Sequence, residues 1–128
     1  MRVLLDTHIV LWALTDDRRL TEKARELIID PGNTVHVSAA CVWEIAIKHG
    51  LGRGNMPIGP EPAMAWCLES GYRMLSVSAE HAAAVHTLPA HHQDPFDRIM
   101  VAQALREPMR LLTHDAQVAR YDPSILLV

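Results

Sequence analysis

Aromatic residues and cysteines are scarce in this chain of 128 residues, which holds three Trp, two Tyr, one Phe and two Cys. Cys41 and Cys67 each sit among apolar neighbours without C-x-x-C spacing. That excludes a disulfide framework and leads us to expect a reducing, cytoplasmic compartment. Long apolar runs are missing too: one arginine and three apolar residues separate Met1 from Asp6, too few for a signal peptide or a membrane span. Cationic charge is not in excess, and a formal net charge of −3 gives no overall attraction to nucleic acid. Any binding of that polyanion must rest on local arginines and lysines or on bound cations. The sequence also lacks repeats, low-complexity segments and long linkers, so a single domain over residues 1–128 is expected, able to bury about two thirds of its unfolded surface.

What is present is an alternation. Short apolar runs at Val3–Leu5, Thr34–Val37, Met74–Val77, Leu111–Thr113 and Ile125–Val128 read as strands separated by longer amphipathic segments. This pattern predicts an α/β fold with a central parallel sheet between helices. Helix starts are marked by Thr21 before EKARELIID, Ser38 before AACVWEIAIKHG and Ser78 before AEHAAAVHTL. Asp94 caps PFDRIMVAQALRE, with Pro95 at the first helical position, where its missing N–H costs nothing.

Function in such a sheet gathers where strands end. Asp6 follows the first strand directly, beside a core in which a carboxylate is costly unless hydrogen-bonded, paired or holding a metal. Asp115 follows LLTH after a late strand. Glu44 lies mid-helix in VWEIAIK, a helix apolar on nearly every face and therefore expected to be largely buried. An i, i+4 pair with Lys48 would also account for Glu44. Asp94 suits an N-cap, and Asp97 suits either the positive helix end or a ligand beside the crevice. His8, His91, His92 and His114 flank these acids without the spacing of a zinc site, and are expected to support the acids or lie on the surface. Asp6, Glu44, Asp97 and Asp115 together would repel one another if empty, and such hard oxygen ligands suit Mg²⁺ or Mn²⁺.

Competing α/β chemistries fail on their own residues. A dinucleotide-binding domain would need G-x-G-x-x-G where this chain has DTHIVL, and a haloacid-dehalogenase-like phosphatase would need an aspartate at the position of His8. A receiver domain would want paired acids near the first strand and a lysine after a late one, which are not found where needed.

The blocks LLDTHIVLWAL, SAACVWEIAIKHGLGR, LPAHHQDPFDRIMVAQAL and LLTHDAQVARYD together resemble the PIN-domain ribonucleases, in particular the VapC-type toxins. The resemblance runs from Met1 almost to Val128 and implies a three-layer α/β/α sandwich with a central parallel sheet. It also implies a Mg²⁺- or Mn²⁺-dependent endoribonuclease that acts as the toxin of a toxin–antitoxin pair. Its acidic quartet, both catalytic and metal-holding, falls on Asp6, Glu44, Asp97 and Asp115, with Asp94 of DPFD standing instead of or beside Asp97. Thr7 and Thr113 support the acids; from the residues themselves, Lys48, Arg53 and Arg98 are cations available to flank the site, each also readable as a solvated surface charge, the favoured reading for Arg53. Where some relatives carry a further polar or acidic residue after the last acid, this chain has Ala116, Gln117 and Val118. Expected partners are an RNA substrate, a second copy of the chain and a small antitoxin whose carboxyl-terminal segment crosses the acidic crevice. Leu11, Trp12, Leu14, Trp43 and Trp66 are the apolar residues considered for those interfaces, with most of them, Trp43 above all, expected in the core. A non-catalytic partner-binding module with a structural ion site is the alternative, separable by a metal-dependent nuclease assay.

Overall fold

The computed structural model describes residues 1–52 and 56–128, so Arg53 lies outside the described residues. Its strands are β1 (Arg2–Leu5), β2 (Thr34–Ser38), β3 (Arg73–Leu75), β4 (Arg110–Thr113) and β5 (Leu126–Leu127). All neighbours pair in parallel, in the order β3-β2-β1-β4-β5. Seven helices among the described residues flank this sheet: α1 (Thr7–Thr15), α2 (Glu22–Ile29), α3 (Ala39–Gly50), α4 (Pro60–Glu69), α5 (Ala79–Ala84), α6 (Pro95–Arg106) and α7 (Ala116–Ala119). The expected α/β sandwich with a central parallel sheet is therefore what the chain forms. Helices on the sheet faces explain why β1 and β4 read as unbroken apolar runs: Val3, Leu4, Leu5, Leu111 and Leu112 are all fully buried. Each such leucine contributes about 1.5–3 kcal/mol through burial.

Strand order decides where a ligand can sit. The chain moves from β1 outward through β2 to β3, then returns to the other side of β1 with β4 and β5. The reversal lies between β1 and β4, and the crevice at the carboxyl ends of such a pair is the usual binding place in an open parallel sheet.

The caps follow the sequence signals. Thr21 accepts from Ala24 N, Ser38 from Ala40 N, and Ser78 from His81 N. The helix opened by Ser78 is shorter than its pattern suggested, because after Ala84 it tightens into a 3₁₀ turn at Val85–Thr87. Met74–Val77 was displaced as a strand: pairing starts at Arg73 and stops at Leu75. Helices α4 and α7 add to the elements read from the sequence.

Two further expectations need correction. Helix α3 is not largely buried: Ala40, Cys41, Glu44 and Ile45 face inward, while Trp43 and Ile47 lie open at 61% and 38% exposure. Trp43 is accordingly not a core residue. Apolar composition on every face marked α3 as enclosed, but the other elements cover only the stripe that meets them, and Trp43 packs sideways against Phe96 instead. Of the other two tryptophans, Trp12 is buried and Trp66 is exposed.

Candidate metal centre

Asp6 leaves β1 and caps α1. Its Oδ1 accepts from Ile9 N at 3.1 Å, and its Oδ2 accepts the hydroxyl of Thr113 at the end of β4. The same threonine oxygen accepts from Asp115 N at 3.0 Å, so Thr113 joins two acids across the β1/β4 crevice. Asp115 in turn caps α7, with Oδ1 accepting from Gln117 N at 2.8 Å. Both acids sit where strand passes into helix, and each has one carboxylate oxygen committed to a helix start.

Glu44 reaches the same region from the inward face of α3, where its residue is 3% exposed. Thr7 Oγ1 donates to its Oε1, and Lys48 Nζ donates to its Oε2 at 2.5 Å. The i, i+4 pair read from the sequence is present, and it coexists with burial at the crevice. Lys48 is thus held on Glu44 itself.

On α6, Asp94 is the N-cap, with Oδ1 accepting from both Phe96 N at 2.8 Å and Asp97 N at 3.2 Å. Because one oxygen makes both cap bonds, capping does not by itself remove Asp94 from a metal. His92, Asp94 and Asp97 each offer a ligand atom within 4.8 Å of the others. His92 Nε2 lies 2.9 Å from Asp97 Oδ2 and 3.7 Å from Asp115 Oδ2. Of the supporting or surface roles expected for this histidine, the supporting one is what it takes, against two of the acids at once. The available signal was its place in the loop just before the α6 cap.

Electrostatics show how closely the acids gather. Burial pushes the Asp97 carboxyl up to about 7, and the charges of Asp94, Asp6 and Glu44 add to that, opposed by His92. Burial likewise raises Asp6, against the lowering effect of its bond from Thr113. Two carboxyls raised chiefly by burial, with neighbouring acids adding to it, are a poor solution for an empty protein and a good one for a divalent cation. The oxygen-rich donor set fits Mg²⁺ or Mn²⁺.

Arg98 does not flank these acids. Its Nη1 donates to the carbonyls of Pro89 and His92 and to Tyr121 Oη, its Nη2 donates to the carbonyl of Val85, and its guanidinium lies 5.9 Å from the Tyr121 ring centre. It ties down the segment that carries His92.

Comparison with known proteins bears on this arrangement. The PIN domain profile matches residues 3–123. The chain belongs to the PIN domain family. Among its relatives, "Ribonuclease VapC22" of Mycobacterium tuberculosis (strain ATCC 25618 / H37Rv) is 29% identical over 119 residues, covering 91% of this chain and 88% of that one. In the structure of VapBC2 from Rickettsia felis bound to a DNA fragment from their promoter, one chain superposes with a TM-score of 0.67 at 18% identity, over 98% of this chain and 96% of that one. A toxin–antitoxin complex from Klebsiella pneumoniae gives 0.65 at 20% identity, over 97% and 95%. These structural likenesses establish the PIN fold of this chain, in agreement with its sheet order.

Proposed function

We propose that this PIN domain, spanning residues 1–128, is the ribonuclease toxin of a toxin–antitoxin pair, hydrolysing RNA phosphodiester bonds with a divalent cation held by Asp6, Glu44, Asp97 and Asp115. The observation that carries the reading is the gathering of acids at the β1/β4 crevice: Thr113 joins Asp6 to Asp115, His92 lies between Asp115 and Asp97, Asp94 and Asp97 stand together with His92, and Thr7 beside Asp6 holds Glu44. The likeness to the VapC22 ribonuclease supports the reaction class. When bound, the cation supplies a water of lowered pKa and charge neutralisation at the scissile phosphate.

The chain's own residues do the rest. Thr113 fixes the Asp6 carboxylate and the Asp115 backbone together, and Thr7 with Lys48 fixes Glu44. Asp94 sets the start of α6 and hence the position of Asp97. His92, between Asp97 and Asp115, is placed to hold or pass a proton at the edge of the acid group.

The partners we propose are an antitoxin and a second copy of the chain. Support comes from the toxin–antitoxin complexes among the structural neighbours and from exposed apolar area at Trp43, Ile47 and Val77. A cytoplasmic setting fits two buried free thiols, and no helix among the described residues is long and apolar enough to cross a membrane.

The test is cleavage of RNA in Mg²⁺ or Mn²⁺, abolished by excess EDTA and by Asp6→Ala. Cleavage that persists in EDTA and in Asp6→Ala rejects the metal-centred reading. A strict monomer in light scattering that also fails to bind the product of an adjacent small gene rejects the proposed partners.

A further inference from the structure

The acid group opens onto a groove. Asp6 and Asp115 line a groove of about 430 Å³ together with His8, Trp12, Arg19, His114 and Ala116. A second groove, of about 360 Å³, is lined by the same His8, Trp12 and Arg19 with Leu11, Thr15, Asp17 and Pro57. The two grooves meet at those three shared residues, and this pair is the channel considered for a ligand.

Local structure explains how those residues meet. His8 and Trp12 are four apart on α1 and share a face, with ring centres 5.9 Å apart. His114, at the end of β4, meets the Trp12 indole edge-on at 5.3 Å. Helix α1 ends at Asp16 in the left-handed conformation, φ 52°, and Asp17 N donates back to the Trp12 carbonyl at 2.9 Å. That turn folds the chain back along the helix and sets the Arg19 guanidinium 5.2 Å from the indole centre. Asp17 holds it from the side, with Nε on Oδ1 at 3.0 Å and Nη2 on Oδ2 at 2.8 Å.

Arg19 is thus oriented twice, by the indole beneath it and the carboxylate beside it, yet its side chain remains 69% exposed. Its Nη1 group makes no hydrogen bond among the described residues. Lys48 is engaged on Glu44, and Arg98 on the His92 segment. A planar, pre-oriented guanidinium with donors to spare is suited to a phosphate oxygen pair.

We infer that this channel is the path of the RNA strand on one side of the scissile bond, with Arg19 binding a neighbouring phosphate over Trp12 and His8 offering its exposed ring to an unpaired base. The inference rests on the nuclease reading for the direction of the strand, though not for the binding itself. Base-to-ring stacking requires a base free of its duplex, so the channel takes single-stranded RNA. Trp12, being buried, is the floor that fixes both neighbours rather than the stacking surface.

The test uses a short fluorescein-labelled single-stranded RNA of mixed sequence, with anisotropy in Ca²⁺ for binding and cleavage in Mn²⁺ for activity. Arg19→Gln should weaken binding about tenfold and reduce the slope of log affinity against log salt by about 0.7, one phosphate contact on a single strand. Asp17→Asn removes the carboxylate that orients the guanidinium but keeps the cation, so it should weaken binding less than Arg19→Gln and leave the salt slope near that of the wild type. His8→Ala should weaken binding of the single strand and leave a duplex of the same sequence unaffected. If Arg19→Gln weakens binding only in step with a lowered melting temperature and leaves the salt slope unchanged, the pair is a structural clasp and the inference fails. It fails equally if Arg19→Gln binds RNA with unchanged affinity and slope, or loses only its hold on a co-expressed antitoxin, while wild-type cleavage leaves the nuclease reading standing. Wild-type protein that binds RNA with an Arg19-dependent slope but never cleaves it would overturn the nuclease reading and keep the channel.

Discussion

Asp94 and Asp97 stand three residues apart and do different work. Asp94 gives one oxygen to two backbone N–H groups at the start of α6, whereas Asp97 makes its contact with His92 inside the acid group. Asp94→Asn keeps a capping oxygen and should retain most activity, while Asp94→Ala should lower stability by about 1 kcal/mol. Asp97→Asn should leave the fold intact and nearly abolish cleavage. Melting temperature and metal-dependent cleavage on the three variants decide the assignment, and an inactive, stable Asp94→Asn beside an active Asp97→Asn would reverse it. The raised Asp97 carboxyl adds a pH dependence. The folded protein holds this proton up to about 7, but the unfolded chain releases it near the ordinary 3.8. Between those values the folded state binds more protons, so metal-free stability falls as pH rises through the window and levels off above it. Asp97→Asn should remove that fall and stabilise the metal-free protein at pH 8 by at least about 1.4 kcal/mol, one pKa unit's worth. Urea titrations in EDTA at pH 5 and pH 8 measure the difference; a wild-type protein more stable at pH 8 contradicts it.

At the scale of elements, the site is a set of strand-to-helix junctions. β1 passes into α1 through Asp6, and β4 passes into α7 through Thr113 and Asp115. Thr113 ties the two junctions, donating to Asp6 and accepting from the Asp115 backbone, and it is fully buried. Thr113→Val keeps the shape and loses both bonds, so stability should drop by about 1–3 kcal/mol. Since the bond from Thr113 opposes the burial that raises Asp6, the acid limb of the pH–rate profile should also move to higher pH. Thr113→Ser restores the hydroxyl and should restore both quantities. A valine variant with wild-type melting and pH profile would show that the link between the junctions is energetically idle.

For the whole molecule, the two cysteines report on integrity. Both are buried with no exposed surface, and burial pushes the Cys41 thiol up to about 12 and the Cys67 thiol to about 11. Thiolate is the reactive form, so native protein at pH 8 should resist thiol reagents until it opens. Labelling rates in increasing urea should follow unfolding of the entire core; fast labelling of either cysteine in native buffer would point to local opening near α3 or α4. The same core fixes the acids' positions, which is why a divalent cation should raise the melting temperature of wild type more than that of Asp97→Asn.

Periodicity and caps in the chain were enough to establish alternating strands and helices, a parallel sheet, and acids at the ends of Val3–Leu5 and Leu111–Thr113. These follow from local chemistry: apolar runs cannot stay in water, and Ser, Thr and Asp satisfy the free N–H groups at helix starts. The order β3-β2-β1-β4-β5 is not local, since it depends on which helix faces can cover which strands, and it alone puts Asp6 beside Asp115. Tertiary packing likewise decided that α3 would bury Glu44 yet leave Trp43 open, because burial depends on what an element meets and not on its composition. It brought His92 between two acids and set Arg19 over Trp12 through a turn whose course no hydrophobic period encodes. A residue's chemistry is written in the chain, but its neighbours at long sequence separation exist only once the sheet has closed that distance.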